Sequence, residues 1–211
     1  MKKVNGALPE KMELEFEGIY PRGVFVTKQP GPKGAKKKYA LIAEDGRIKI
    51  RGFELVRRDW SAMAKNTQKS VLEAILKEGS KEKAVKIVRD AIEQLKGGKV
   101  PLAELAIVTQ IKKPLDKYEI ISPEVEAAKK AVKKGKKEIG MGSIVSYVIT
   151  KKGKSISDKA ELLEYASDYD AAYYIDHQIL PAVLKILKEL GYDAEDLKTK
   201  GTQKNMSEFF G

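Results

Sequence analysis

Cysteine is absent from the 211 residues, and histidine occurs once, as His177. Without cysteine the chain forms no disulfide and no thiolate metal site. A single imidazole with no second ligand at metal spacing reads as a helix-surface residue. Long apolar runs are also lacking. No stretch reaches the length of a membrane span, and the N-terminus carries no apolar signal core, so the cytoplasm is the expected location. There is no glycine-rich phosphate loop, no nucleophile–base pair and no Ser/His/Asp order.

What the chain has is charge. Lysine and arginine number 41 against 30 aspartates and glutamates, a formal net charge of +11. Such an excess favours a polyanionic partner, nucleic acid first and an acidic membrane surface second. A charged fraction of 34% also fits a thermophile, which would raise the lysine count without any partner. The length and the 42% hydrophobic content allow one domain, or one domain with an appendage.

The pattern predicts an α+β chain: a small antiparallel β-meander, a mostly helical region with short strands, and a flexible C-terminal tail. After a polar lead-in over 1–12, strand-like runs at Leu14–Thr27 and Tyr39–Ile42 flank a Gly, Pro and Lys-rich segment. Period-two alternation would put Glu13, Glu15 and Glu17 on one face and Leu14 and Phe16 on the other. The turn Glu44-Asp45-Gly46 then predicts a third strand at Arg47–Arg51. A sheet this small with one apolar face needs something to pack on.

The period then changes to that of helices. One is expected over Ser61–Glu78 with Gly79 as its stop. A second follows over Lys81–Leu95, capped by Ser80 and ended by Gly97-Gly98. Leu105–Ile111 reads as a strand, and Glu124–Lys134 as a helix opened by Ser122-Pro123. Lysines 129, 130, 133, 134, 136 and 137 make a basic cluster, either a phosphate-facing patch or an ordinary solvated face. A strand is expected at Ile144–Thr150, a basic turn at 151–154, and a long helix over Asp170–Leu190 kinked or broken at Pro181. From residue 192 the periodicity is lost.

The tail holds Gln203-Lys204-Asn205-Met206-Ser207-Glu208-Phe209-Phe210. Its Q-x-x-M-x-x-F-F spacing resembles the interaction motif for the sliding clamp, PCNA. One helical turn would bring Met206, Phe209 and Phe210 to one side to fill an apolar pocket, with Gln203 at the rim. The alternative is a terminal patch that packs back on its own domain.

A wider resemblance rests on eight short runs. They are Arg22–Lys28 followed by Lys36-Lys37-Lys38-Tyr39; Arg51–Trp60; and the later runs Thr67-Gln68, Thr109–Ile111, Ile144–Tyr147, Asp170–Ile175 and Gln178–Val183. Together, and in this order, they are similar to the carboxyl-terminal part of archaeal family B DNA polymerases. A chain this short looks like the small subunit of a split polymerase of that family. The resemblance implies the end of the palm over 1–58, a thumb over 59–191 and a clamp-binding tail over 192–211.

It further implies that Lys36, Lys37, Lys38 and Tyr39 contact primer–template DNA. Arg51, Arg57, Arg58, Asp59 and Trp60 would mark the passage from palm to thumb, with the three arginines as further DNA-binding residues. The family's catalytic aspartates lie upstream, and no Tyr-x-Asp-Thr-Asp run occurs here. A large polymerase subunit would then carry them and hold most of the Mg2+, with Glu15 and Glu17 as accessory metal carboxylates. A plain acidic exposed strand is the alternative for these two. The segment Gln29–Ala35 departs from the family's tighter connection and reads as a protruding loop. Two other readings stand beside the polymerase subunit: a non-catalytic DNA-binding module recruited by the clamp, and a basic RNA-associated protein.

Overall fold

The computed structural model describes residues 2–9, 12–27, 34–136 and 138–199. A single helical turn, α1 (Lys2–Asn5), opens the chain. The Asn5 side chain donates to the Leu14 carbonyl (3.1 Å) and accepts from the Leu14 amide (3.0 Å), which folds the lead-in against the segment that follows.

Strands β1 (Arg22–Thr27), β2 (Gly34–Ile42) and β3 (Ile48–Arg51) form an antiparallel sheet in that order. The first expected strand is thus shorter than predicted. Residues 12–20 have no regular structure, and Leu14 and Phe16 are 53% and 65% exposed. Alternating apolar residues make a strand only where a neighbour accepts the backbone bonds, and on this edge β2 pairs with Arg22–Thr27 and not with residues 12–20. The second strand is longer than predicted and starts at Gly34, so Lys36, Lys37 and Lys38 lie on it. Positions 29–33 of the expected loop fall outside the described residues.

Val24, Val26, Ala40, Ile42, Ile48 and Ile50 face inward and join the core. They meet the turn that continues helix α2 (Ala62–Glu73) and a later helix. The Ser61 hydroxyl caps α2 by accepting from the Ala64 amide at 3.3 Å. A wide π turn over Ala74–Glu78 extends α2 as far as predicted, and Gly79 ends it at φ +67°, a conformation that suits glycine. Helix α3 (Lys81–Lys96) is capped by Ser80, which accepts from Lys83 at 3.1 Å. Its stripe of Ala84, Val88, Ala91, Ile92 and Leu95 is buried as the spacing requires.

The strand expected at Leu105–Ile111 is divided. The turn α4 (Leu102–Leu105) precedes β4 (Ile107–Gln110). Helix α5 (Pro123–Lys133) begins at the predicted place, but the Ser122 hydroxyl bonds the Glu124 carboxylate at 2.6 Å and caps no amide. Strands β5 (Ile144–Ile149) and β6 (Ala160–Leu162) complete a second antiparallel sheet in the order β4-β5-β6, covered by α5. β6 was not expected, because three residues carry too little period to read.

The last long helix runs as α6 (Ala171–Tyr174), a π turn (Ile175–Ile179) and α7 (Leu180–Lys188). Proline lacks the amide that an α turn needs. Here the wide turn shifts the register just before Pro181, and the helix continues without breaking. Its buried stripe includes Tyr174, Ile175, Ile179, Val183 and Ile186, and Ala172 is exposed.

A five-residue helix, α8 (Ala194–Lys198), lies where periodicity was lost. A reciprocal cap between Asp193 and Asp196 starts it. Leu197 is buried, Arg89 donates to the Asp196 carbonyl at 2.6 Å, and Lys198 pairs with Asp176 at 2.9 Å. Among the described residues, no helix is long and apolar enough to cross a membrane.

Candidate nucleic-acid interface

The pleat of the first sheet sends Gly23, Phe25, Tyr39, Leu41, Lys49 and Arg51 to the face opposite the core. The register places them in rows. Tyr39 lies between Phe25 on β1 and Arg51 on β3, and Leu41 lies between Gly23 and Lys49. The rings of Phe25 and Tyr39 stand 6.0 Å apart, tilted by 31°. Arg51 is exposed and has no hydrogen bond or ion pair among the described residues. Two aromatic rings and a free guanidinium therefore share one open surface.

Lys38 behaves differently. Its alternation with Tyr39 turns it to the core side, where its ammonium meets a Glu54 carboxylate oxygen at 2.6 Å. The two side chains are only 13% and 9% exposed. The ammonium also sits 5.2 Å from the centre of the Phe53 ring. Glu54 accepts a second bond from Gln68 Nε2 at 2.8 Å, and Gln68 Oε1 accepts from the Leu55 amide at 2.9 Å. Gln68 Nε2 also donates to the Ala182 carbonyl of α7. This chain of polar contacts joins β2 to the turn at 54–56, to α2 and to α7. Lys38, expected at the DNA surface, is committed inside. Glu54 and Gln68 fall within stretches that carry the family resemblance, but nothing in the sequence marks them as partners of Lys38 or of each other.

The other predicted basic residues divide in the same way. Arg57 forms a two-pronged pair with Asp59 through Nε (3.0 Å) and Nη2 (2.5 Å), which raises the Arg57 pKa further. Arg58 is exposed and unpaired among the described residues. Within the lysine cluster, Lys130 and Lys134 both pair with Glu161, at 3.2 and 3.0 Å, and Lys136 pairs with Glu164. Lys134 also lies 4.8 Å over the Tyr165 ring. The sequence count overstated this patch, because β6 and the turn after it bring two glutamates alongside. Lys129 and Lys133 keep uncompensated charge among the described residues. Lys36 and Lys37 have their backbone on β2, but their side chains lie outside what is described, as does Lys137. The clamp-motif residues Gln203, Met206, Phe209 and Phe210 also lie outside the described residues.

Glu15 is exposed. The Glu17 carboxylate bonds Lys49, and this hydrogen bond, followed by the lysine's charge, lowers its pKa; Arg51 adds to the effect. No group of three or more acidic or imidazole side chains able to hold a metal ion occurs among the described residues. Glu15 and Glu17 therefore form no complete metal site within this chain's described residues. His177 stacks on Tyr173 with ring centres 5.0 Å apart, on the exposed side of its helix.

Comparison with known proteins agrees with this architecture. The sequence profile of DNA polymerase family B matches residues 1–190. The DNA polymerase of Methanocaldococcus jannaschii is 48% identical over 209 residues, covering 98% of this chain and 12% of that protein. The DNA polymerase of Pyrococcus glycovorans is 46% identical over 204 residues, covering 95% of this chain and 25% of that protein. The structure of the family B DNA polymerase from the hyperthermophilic archaeon Pyrobaculum calidifontis superposes with a TM-score of 0.72 at 35% identity, over 91% of this chain and 24% of the other. The chain thus spans between about a tenth and a quarter of these relatives. On sequence and fold alike, it belongs to DNA polymerase family B.

Proposed function

We propose that the chain is the small subunit of a DNA-directed DNA polymerase. Residues 1–58 would complete the palm, 59–191 would form the thumb that grips primer–template duplex, and the tail would recruit the sliding clamp. The observation that carries this reading is the match of DNA polymerase family B to residues 1–190, in a stretch where no Tyr-x-Asp-Thr-Asp run occurs. A larger chain then supplies the catalytic acids and most of the magnesium. Glu15 and Glu17 stand near that site at most as accessory groups, and no step is assigned to them.

The outer face of the first sheet supports a role in holding the duplex. Tyr39 and Arg51 lie side by side there, and Lys36 and Lys37 lie on the same strand as Tyr39. Lysine and arginine donors on such a surface can meet phosphates, and also the minor-groove acceptors common to all base pairs; this grips a duplex without reading its sequence. The buried bond of Lys38 to Glu54 would hold the strand that carries these groups against the helices.

The test is recovery of partners with the tagged chain from its native extract, with duplex affinity measured alongside. A larger polymerase chain and a clamp should be recovered. The logarithm of affinity for a primed duplex should fall with the logarithm of salt by about 0.9 per phosphate neutralised. Recovery of the clamp without a polymerase chain would favour a DNA-binding module. Equal affinity for single-stranded RNA would refute the duplex-gripping role.

A further inference from the structure

We propose that Phe25 contacts a sugar of the bound duplex and selects deoxyribose over ribose at that position. The proposal rests on the duplex-gripping reading of the outer sheet face and adds to it a residue and a substrate preference. Phe25 is 64% exposed, an unusual exposure for a phenyl ring on a strand. Yet its surroundings are built for it. A Cβ placed on Gly23 would come within 2.6 Å of Leu41 Cδ2 and 3.1 Å of Phe25 Cε2, so both side chains lie over the space that glycine leaves. Tyr39 flanks the ring from the neighbouring strand at 6.0 Å. An aromatic ring laid over a glycine of an edge strand is held in place before any ligand arrives.

The neighbours identify the partner. Arg51 lies two strands away in the same row, about 10 Å by the spacing of strands. In a chain of net charge +11 this places an apolar ring within a nucleotide's reach of a guanidinium able to meet phosphate.

A duplex offers such a ring few choices. A phenyl has no donor or acceptor, so it reads no base edge. Paired bases are stacked on each other and are closed to it. The carbon faces of the sugars that line the groove remain. Deoxyribose presents only hydrogens at C2′, whereas ribose carries a hydroxyl that both donates and accepts. Against the ring that hydroxyl gives up water and finds no partner.

The experiment measures binding of the full chain to a labelled primed DNA duplex by fluorescence anisotropy at fixed salt. The same duplex with ribonucleotides in its primer strand, or with 2′-fluoro sugars there, serves for comparison. The wild type should bind the ribonucleotide duplex about tenfold more weakly than DNA, the scale of one unpaired buried hydroxyl. The 2′-fluoro duplex, which has no donor, should bind much as DNA does. Phe25→Ala should weaken DNA binding and bring the DNA and ribonucleotide affinities close together. Phe25→Leu should keep part of the preference. Because the ring is exposed, both variants should melt as the wild type does, which separates the contact from folding.

An unchanged preference in Phe25→Ala would overturn the proposal, whether or not overall affinity fell. So would a variant that keeps its DNA affinity and preference but no longer recovers a partner chain, since Phe25 would then contact protein. A wild type that binds no primed duplex would overturn the duplex reading itself, and this inference with it.

Discussion

Replacing Lys38 with methionine keeps the side chain's length and removes its charge. Glu54 would then hold a buried carboxylate with Gln68 as its remaining donor, at 2.8 Å. Removing one partner of a buried pair costs more than the pair itself contributes, because the charge left behind is uncompensated. With side chains 13% and 9% exposed and a 2.6 Å contact, the loss should be about 3 kcal/mol. In a chain of this size, 1 kcal/mol moves Tm by about 3 °C, so Tm should fall by roughly 10 °C. Lys38→Met combined with Glu54→Met replaces both charges with apolar groups and should cost less than Lys38→Met alone. Gln68 keeps its bonds to Leu55 and Ala182 in that variant. Urea unfolding of the singles and the double, followed by circular dichroism, gives the coupling directly. A loss below about 1 kcal/mol for Lys38→Met, the range of exposed ion pairs, would refute the claim that this lysine is structural.

Asp170 caps its helix through the Tyr173 amide and pairs with Lys159 at 2.6 Å. Burial opposes its ionisation, but the bonds to Lys159 and Tyr173 outweigh burial and lower its pKa. A carboxylate lowered on folding stabilises above its unfolded pKa and loses that effect as pH falls through the folded value. Asp170→Ala should therefore cost about 2 kcal/mol at neutral pH, by urea unfolding, and the gap to wild type should narrow below about pH 4. A gap that stays constant with pH would rule out the charge as its source. Phe209→Ala with Phe210→Ala should abolish clamp stimulation of primer extension and leave clamp-free synthesis unchanged. Stimulation that survives in this variant would remove the tail from the clamp.

Long periodic elements were legible in the sequence. Ser61, Ser80 and Gly79 marked helix boundaries where the structure has them, because caps and left-handed stops depend on local chemistry. The strand expected from Leu14 onward failed because alternation records a face, not the presence of a pairing neighbour. β6 and α8 are too short for a period, and long-range contacts hold α8: Arg89 and Asp176 lie far from it in sequence. At the candidate site, Tyr39 and Arg51 were legible as types, but their alignment with Phe25 depends on strand register. The lysine counts misled in two places. Lys38 turns inward to Glu54, and Glu161 and Glu164 neutralise part of the cluster on α5. Pairing of this kind is set by the fold and cannot be read from a run of like charges.

Primer extension with separately purified components tests the central claim most directly. The chain alone should extend no primer. Mixed with a larger chain that carries the family's catalytic aspartates, it should restore synthesis or raise it well above that of the larger chain alone, together with affinity for primed duplex. A mixture that gains neither synthesis nor DNA affinity would contradict the account.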